Sequence, residues 1–423
     1  MEIVETQWRL PSGESDATTR AAEVRRVAVV GGGTMGRGIA LSLLGGGFHT
    51  LVVDVDDQAI RACRRGLEEI LDRELSAKRI TKDMVDSALG RLRFSVQLED
   101  VADCQLVIEA VFEDMPLKQD LFLKLQSTCE PDVVFATNTS SLDITQMARG
   151  LLDPSRLVGM HYFVPAHLVP AVEVVYGEMT AARAVATAFD VCRRCFKVPV
   201  LVKSCPQFVF NRMNQFLFRQ ATVLLERHRL SPAYIDAVVR FSFGMPPGPF
   251  ALIDIIGLDT FKRVAEANGA DVSPLQRKLV DLGRLGRKTG RGYYKYSASG
   301  KREADLEVEQ WIRERQSPAD ESFPKIRVDT EADVIAYLLC PFVNEGLRIL
   351  DEGIVQKAAD IDLLWLYGGG WPKHTGGPMR WAQRLGWHKI LTRMEELYYN
   401  GDKDPQFKPC PSLYSLALGK SKL

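Results

Sequence analysis

Short runs of β-branched and aromatic residues alternate with amphipathic stretches along the chain up to about residue 203. The runs are typical of buried strands, whereas the stretches between them repeat apolar residues every three or four positions, as helices do. The predicted strands are RRVAVV, HTLVVDVD, LVIEAVF, VVFATN, LVGMHYF and VEVVY. Helices that alternate with strands form βαβ units, so the sequence predicts an α/β fold with a Rossmann-type, mostly parallel sheet and ligand sites at the carboxyl ends of its strands.

Beyond about residue 206 the strand pattern gives way to helical periodicity, and two helical regions share an order of residues. The first contains Asn211, Ile235-Asp236 and Gly248-Pro249, and the second contains Asn344, Ile361-Asp362 and Gly377-Pro378. This recurrence predicts an internal duplication into two related all-α helical modules, although such residues also punctuate unrelated helical domains. The predicted boundaries are a polar leader or linker (1–23), the α/β domain (24–203), the first helical module (204–300), a linker (301–328) and the second helical module (329–423).

The composition of the chain argues against several classes of protein. Among 423 residues, 54 Lys and Arg balance 54 Asp and Glu, which argues against a nucleic-acid-binding protein because such proteins need a basic surplus. No apolar run reaches the roughly 18–20 residues that span a bilayer. Eight cysteines are scattered, and Cys192 and Cys195 form a C-x-x-C inside a predicted helix without a second Cys or His pair at ligand spacing. We therefore predict no metal site and a reduced intracellular compartment.

A glycine-rich loop follows the first predicted strand. Gly31, Gly33 and Gly36 satisfy G-x-G-x-x-G and open a helical pattern, and Asp54 ends the next strand 18 residues after Gly36. In this context the glycines permit a tight turn, close approach of the backbone to a pyrophosphate, and close helix packing. Asp54 would accept hydrogen bonds from the ribose hydroxyls and repel a 2′-phosphate, so the loop predicts binding of NAD rather than NADP.

Four side chains suit the chemistry of a dehydrogenase. His161 ends the strand LVGM, where an open sheet presents ligand groups, and imidazole exchanges protons near neutral pH. Glu173 could hold one ring nitrogen while the other accepts a proton from a substrate alcohol. Ser140 and Asn211 could hydrogen-bond the same oxygen as it becomes a carbonyl. His167 is a competing candidate for the base, although it lies in a Pro-flanked loop.

At this point several ordered motifs resemble the L-3-hydroxyacyl-CoA dehydrogenases. They are VAVVGGGTMGRGIA, LVIEAVFED, ATNTSSL, GMHYFVPAH, VEVV, FVFNR, GRKTGRGYYKY and GWPKHTGGP. The resemblance covers about residues 24–423, and it is closest to the dehydrogenase part of the peroxisomal bifunctional β-oxidation enzymes. That family carries two related helical modules at its carboxyl end, which agrees with the predicted duplication.

The resemblance implies a role for each matching residue. It implies that His161 and Glu173, which are 12 positions apart, form the catalytic dyad and that Ser140 and Asn211 polarise the substrate. It further implies that Gly31, Gly33, Gly36 and Asp54 form the NAD loop and that Glu113 and Lys118 contact the cofactor. Those last two would equally suit the charged start of a helix.

Two positions depart from the pattern of the family. Val164 stands where a polar residue is common, and Gln207 stands where the family has glycine. Either change could lower the rate or alter substrate fit, because Gln207 brings bulk and restricts φ beside Asn211. With only 23 residues before the dinucleotide domain, no hydratase active site is expected in this chain. Whether the chain is a monofunctional paralogue or a truncated product stays open.

The expected reaction is oxidation of an L-3-hydroxyacyl-CoA to the 3-oxoacyl-CoA with NAD in fatty-acid β-oxidation. A weak or inactive paralogue that binds NAD or acyl-CoA, and a dehydrogenase for a 3-hydroxy acid without CoA, are the alternatives. Basic residues of the helix after Asp54 could contact CoA or merely form a solvated face; they are Arg61, Arg64, Arg65 and Lys78.

The chain ends in Ser421-Lys422-Leu423, a tripeptide that the peroxisomal import receptor reads, so a peroxisomal location is expected. A monomer is also expected, since the second helical module could occupy the surface through which related single-module enzymes dimerise.

Overall fold

A computed structural model describes residues 6–267, 272–314, 326–400 and 403–421. Contacts divide the chain into two compact units. The first consists of residues up to Phe210 together with Gly353–Gln356 and Leu363–Gly369. The second consists of Asn211–Glu352, Lys357–Asp362 and Gly370–Leu423.

The first unit is built on an eight-stranded sheet. Its strands are β1 (Arg26–Val30), β2 (His49–Val53), β3 (Leu92–Ser95), β4 (Leu106–Glu109), β5 (Val134–Thr137), β6 (Leu157–Tyr162), β7 (Ala171–Tyr176) and β8 (Val198–Lys203). They lie in the order β3-β2-β1-β4-β5-β6-β7-β8, and only the pair β6 and β7 is antiparallel. This arrangement confirms the predicted Rossmann-type, mostly parallel sheet.

Six helices accompany the sheet: α1 (Thr34–Gly45), α2 (Asp57–Ser76), α3 (Lys82–Leu89), α4 (Met115–Thr128), α5 (Ile144–Ala148) and α6 (Ala182–Arg194). Side-chain caps fix where four of them begin. At α2, for example, Asp56 accepts a hydrogen bond from the backbone of Ala59, and at α4 Asp114 accepts one from that of Leu117. Every residue of β4, β5, β6 and β7 is buried, as expected for strands covered on both faces.

The predicted leader packs on this core from residue 6 onwards. Trp8 and Leu10 are buried with the sheet residues, and the Trp8 ring lies 6.1 Å from that of Phe189 on α6. Arg193 pairs with Asp16 at 2.7 Å. The sequence did not predict this packing, because the segment is mostly polar and its few apolar side chains form no periodic pattern.

The second unit is helical apart from a two-stranded hairpin, in the residues that the structure describes. Its elements begin with α7 (Phe210–Glu226), α8 (Pro232–Ala237), a π-helical turn (Val238–Phe243), α9 (Pro249–Ile256), α10 (Leu258–Ala267) and α11 (Pro274–Asp281). The hairpin β9 (Tyr294–Tyr296) and β10 (Arg302–Ala304) and the helix α12 (Leu306–Glu314) follow. The last helices are α13 (Glu331–Asp351), α14 (Ala358–Tyr367), α15 (Pro378–Leu385), α16 (Trp387–Tyr399) and α17 (Pro411–Ala417).

The interval predicted as a linker, 301–328, therefore contains β10 and α12. Helix α12 is amphipathic, with Val308 and Ile312 buried between charged residues. The interval was predicted as a linker because most of its residues are polar. Two apolar residues four positions apart are nevertheless enough to pack one face of α12 against the rest of the unit.

One hydrogen-bonding device recurs in the two helical modules. Asp236 accepts hydrogen bonds from the backbone of Phe250 and Ala251 at the start of α9. Asp362 accepts them in the same way from Met379 and Arg380 at the start of α15. A Cβ added at Gly248 or Gly377 would lie within 2.6 Å of the respective Asp, so the Gly-Pro pairs are needed for this close approach. The recurrence supports the predicted duplication.

The two copies differ at their asparagines. Asn344, the counterpart of Asn211, is fully buried on α13. Its side-chain oxygen accepts from the backbone of Cys410 at 2.9 Å, and its nitrogen donates to the carbonyl of Lys408 at 3.1 Å. The second copy thus uses its asparagine to fix the segment before α17.

Candidate active site

The predicted dinucleotide loop joins β1 to α1 and requires glycine at two positions. Gly31 has φ of +103°, and a Cβ added at Gly36 would lie 1.8 Å from the carbonyl oxygen of Gly31. Around a Cβ added at Gly33, by contrast, no atom of the described residues comes within 4 Å. The loop is therefore tight on its inner side and accessible at the amino end of α1, where backbone amides and the helix dipole favour phosphate.

Asp54 lies beside this loop, at the end of β2. Its carboxylate accepts hydrogen bonds from the backbone of Gly32 and of Val55, both at 2.7 Å. These bonds fix the carboxylate next to the glycines, as the predicted contact with a ribose requires. The loop, the helix end and this carboxylate together fit a dinucleotide.

Replacing Gly36 with alanine should reduce NADH affinity about a hundredfold or more, because the new Cβ forces the loop away from helix α1. Titration of NADH fluorescence measures the effect. Gly33→Ala is the matched variant: its φ of −65° suits alanine, so the protein should keep its melting temperature but lose affinity as the methyl group meets the pyrophosphate. Normal NADH binding by Gly33→Ala would contradict the assignment of the loop.

The predicted dyad lies on the antiparallel pair of strands. His161 on β6 stands opposite Glu173 on β7, and Nδ1 of the imidazole is 2.7 Å from Oε2 of the carboxylate. The exposed fraction of His161 is 7%, and Glu173 is fully buried. The other carboxylate oxygen accepts from the backbone of Val209 and Phe210, both at 3.0 Å. Glu173 is thus fully engaged, and Nε2 is the ring atom left to exchange a proton with a substrate.

His167 lies in the turn between these strands, and burial lowers its pKa despite the opposing field of Glu74. The carboxylate partner expected of a general base is Glu173, and it contacts His161.

A strained turn delivers the two amides that hold Glu173. Gln207 and Phe208 both adopt the left-handed region, with φ of +64° and +52°. Phe208 is fully buried, with its ring 5.9 Å from the imidazole. The structure therefore explains why the family has glycine at position 207, and it shows that Gln207 keeps the turn in place at the expense of strain.

Gln207→Gly should raise the free energy of unfolding by about 1 kcal/mol, because glycine adopts this conformation without a steric penalty. Denaturant titration measures the change. Gln207→Ala serves as the control, since it shortens the side chain but keeps the Cβ and therefore the strain. Equal stabilisation by both variants would show that the side chain, and not the backbone, is the source.

Ser140 lies just beyond β5 in a loop organised by Glu113. One Glu113 oxygen accepts from the Thr139 hydroxyl at 2.6 Å, and from the Ser140 backbone and hydroxyl at 2.9 and 3.3 Å. The loop is also tied to the dyad strand, because the Asn138 side-chain oxygen accepts from the backbone of Tyr162 at 2.9 Å. Glu113 and Ser140, predicted separately, belong to one network.

Lys118 links this network to a residue that the sequence analysis missed. Its ammonium, 1% exposed, lies 3.2 Å from Glu113 and 2.6 Å from Glu109, which is fully buried at the end of β4. Glu109 also accepts from the Thr137 hydroxyl at 2.6 Å. Burial alone would raise the pKa of Glu113, but Lys118 and the hydrogen bonds from Thr139 and Ser140 hold the pKa below its usual value.

Glu109 could have been recognised from its surroundings. A lone carboxylate inside the apolar run LVIEAVF must be paired when the strand is buried. The nearest cation that follows it in the sequence is Lys118, nine positions later at the start of α4.

Asn211 opens the second unit, in the first turn of α7. The next residue, Arg212, is anchored within that unit: it pairs with Glu345 at 2.5 Å and forms a fork with Glu352. These hydrogen bonds and charges outweigh burial and raise the pKa of the guanidinium. The turn that carries Asn211 is therefore firmly held.

Cys192 and Cys195 are buried free thiols on and just after α6, and burial raises the pKa of Cys195 to about 12. In the part of the chain that the structure describes, no group of three or more His, Cys, Asp or Glu residues could hold a metal ion. None of the helices described is long and apolar enough to cross a membrane.

Known proteins are similar to this chain over most of its length. Residues 26–205 match the family described as "3-hydroxyacyl-CoA dehydrogenase, NAD binding domain", and residues 208–296 match its C-terminal domain. The peroxisomal bifunctional enzymes of Danio rerio and Cavia porcellus are 36% and 34% identical over 97% of this chain. The chain spans 58% of the length of each of these relatives.

A solved structure extends the likeness over both units. The dehydrogenase part of multifunctional enzyme 1 from C. elegans is 35% identical, with a TM-score of 0.76, over 97% of this chain and 94% of that one. The predicted fold, family and NAD-binding domain are confirmed. The chain belongs to the 3-hydroxyacyl-CoA dehydrogenase family.

Proposed function

We propose that this chain oxidises L-3-hydroxyacyl-CoA to 3-oxoacyl-CoA with NAD, reversibly, in fatty-acid β-oxidation. The observation that carries the proposal is the contact of 2.7 Å between His161 and Glu173, whose carboxylate is held by two backbone amides. A buried and oriented imidazole–carboxylate pair is what proton abstraction from an alcohol requires.

His161 accepts the hydroxyl proton of the substrate on Nε2. Glu173 keeps the proton of Nδ1 in place and stabilises the imidazolium that forms. The Ser140 hydroxyl, which donates to Glu113 in the structure, would turn to donate to the substrate oxygen as it becomes a carbonyl, and the Asn211 amide would donate to the same oxygen. NAD bound at the glycine loop would supply the acceptor for the hydride that leaves the carbinol carbon.

The loop of Gly31, Gly33 and Gly36 would hold the pyrophosphate of NAD, and Asp54 would hold the ribose hydroxyls. Glu113 would make the predicted contact with the cofactor. Lys118 is almost fully buried, so it would act indirectly by holding Glu113, which also orients the Ser140 loop.

The alternative of a weak or inactive paralogue rested in part on Val164 and Gln207. Val164 is 68% exposed and therefore perturbs no packing. Gln207 is strained, but both amides after its turn still reach Glu173. Neither departure disrupts the dyad, and this favours an active enzyme.

The test is NADH consumption by the purified chain with 3-oxoacyl-CoA of short and long acyl chains. Rapid turnover supports the proposal and gives the chain-length preference. NADH binding without turnover on any thioester would favour the binding-protein alternative. Faster turnover of a free 3-oxo acid than of its CoA thioester would favour the third alternative, a dehydrogenase that does not use CoA.

We also propose a peroxisomal location, since the relatives above are peroxisomal enzymes. Recognition by the import receptor would use Ser421-Lys422-Leu423, of which Lys422 and Leu423 lie outside the described residues. Deleting the tripeptide should move a fluorescent fusion from peroxisomes to the cytosol.

We further propose that the chain is a monomer, which light scattering can test.

A further inference from the structure

Lys197 is a buried amine that the proposed mechanism does not use. It lies between α6 and β8, and its exposed fraction is 7%. Its backbone is fixed on both sides: its own amide donates to the carbonyl of Cys192, and the amide of Val198 donates to that of Pro170. The side chain therefore extends from a stretch of backbone that is fixed by hydrogen bonds.

The Lys197 ammonium holds a turn. Its Nζ donates to the carbonyl oxygens of Ala166 at 2.6 Å and of Val169 at 2.8 Å. Within the turn, the amides of Leu168 and Val169 both donate to the carbonyl of Pro165. Two internal bonds and two bonds from one cation fix the backbone over residues 165–169.

This turn joins the two strands of the dyad. Residues 163–170 connect β6, which ends beyond His161, to β7, which contains Glu173. We call β6, this turn and β7 the dyad hairpin. In an antiparallel pair a slip of one residue turns every side chain to the other face, so the register of the hairpin decides whether imidazole and carboxylate meet.

The turn is also seated on the dinucleotide-binding helix. A Cβ added at Gly38 of α1 would lie 2.9 Å from the Ala166 side chain and 3.2 Å from its backbone nitrogen. Ala166 is thus held between Lys197 and the helix whose amino end carries the glycine loop. A shift of the turn would change the dyad and its distance from that helix together.

We propose that Lys197 is a positioning residue for the dehydrogenase: its ammonium clamps the turn of the dyad hairpin and so holds His161 opposite Glu173. The inference rests on the function proposed above and deepens it.

The charge of Lys197 is suited to this task. Burial lowers its pKa to about 8, against the weaker opposing influence of Cys195 and Cys192. The amine thus remains mainly protonated at neutral pH. Main-chain carbonyls that bind a buried cation do so strongly, because a charged donor roughly doubles the strength of a hydrogen bond.

Lys197→Met tests the clamp because it keeps the aliphatic stem and removes the donors. Lys203→Met is the matched control, since Lys203 has an exposed side chain at the end of β8, the strand that Lys197 directly precedes. We expect Lys197→Met to lower kcat about tenfold with an unchanged KM for NADH, as for an effect on proton transfer alone. In Glu173→Gln enzyme the same substitution should change nothing further, because the pair it positions is already broken.

Hydrogen–deuterium exchange supplies a readout that does not depend on activity. Amides of residues 165–169 should exchange faster in Lys197→Met and at the normal rate in Lys203→Met. If the wild-type chain turns over no substrate, the proposed function fails, while exchange still decides whether Lys197 holds the turn.

Three results would overturn the inference. The first is unchanged kcat and exchange in Lys197→Met. The second is an equal loss of kcat with and without Glu173. The third is a failure to fold by both Lys197→Met and the milder Lys197→Gln, which would make Lys197 a determinant of folding and not a positioning residue.

Discussion

Replacing His161 with glutamine should lower kcat about a thousandfold, the scale of positioned general acid–base catalysis. Glutamine is of similar size and can still donate a hydrogen bond to Glu173, so the buried site stays filled. What is lost is the nitrogen that accepts the substrate proton. Steady-state NADH consumption with a 3-oxoacyl-CoA measures the reverse reaction, for which the same nitrogen must deliver that proton.

The histidine variant needs two controls. NADH affinity and the melting temperature should match those of the wild type, because His161 lies apart from the glycine loop on a different strand. His167→Gln should leave kcat essentially unchanged. A fully active His161→Gln protein, or a His167→Gln protein with the larger loss, would reject the assignment of the base.

Glu173→Gln should cause a loss of the same order, by changing the tautomer of His161. The glutamine oxygen can accept both backbone amides that Glu173 accepts now. Its NH2 group then faces Nδ1, which must become an acceptor. The ring proton moves to Nε2, and the nitrogen that faces the substrate can no longer take a proton.

A double variant distinguishes this mechanism from simple damage. If the two residues act as one unit, His161→Gln with Glu173→Gln should be no slower than His161→Gln alone. Multiplied losses would mean that Glu173 contributes independently of the imidazole. Unchanged activity in Glu173→Gln would mean that the tautomer does not limit the reaction.

The sheet and the dyad were predictable because their signals are local. Glycines between a strand and a helix, and an acidic residue at the end of the next strand, leave few other folds. His161 and Glu173 lie at fixed distances along two strands of one hairpin. Their spacing in the sequence therefore translates directly into a contact.

Other features depend on tertiary packing that local patterns do not record. The pattern did not predict β8, in which Pro199 interrupts the apolar run; the strand lies at the edge of the sheet, where proline is tolerated. Glu109 was hidden among apolar neighbours, since its side-chain partners Lys118 and Thr137 come from two other elements, α4 and β5. The turn at Gln207 was recognised only as a departure, because its left-handed backbone follows from the two amides that must point at Glu173.

The two asparagines of the helical modules differ in how readily each could evolve to bind a substrate. After a duplication both copies could in principle bind a substrate. In the second copy, the side-chain oxygen of Asn344 accepts from the amide of Cys410, and its nitrogen donates to the carbonyl of Lys408. Redirecting it to a substrate would leave the buried amide of Cys410 unpaired, at about 1–3 kcal/mol, while the carbonyl of Lys408 would keep its hydrogen bond from Arg348. Evolution toward a second catalytic centre in this chain therefore has to begin by rebuilding the segment before α17, because reorienting Asn344 alone would not be enough.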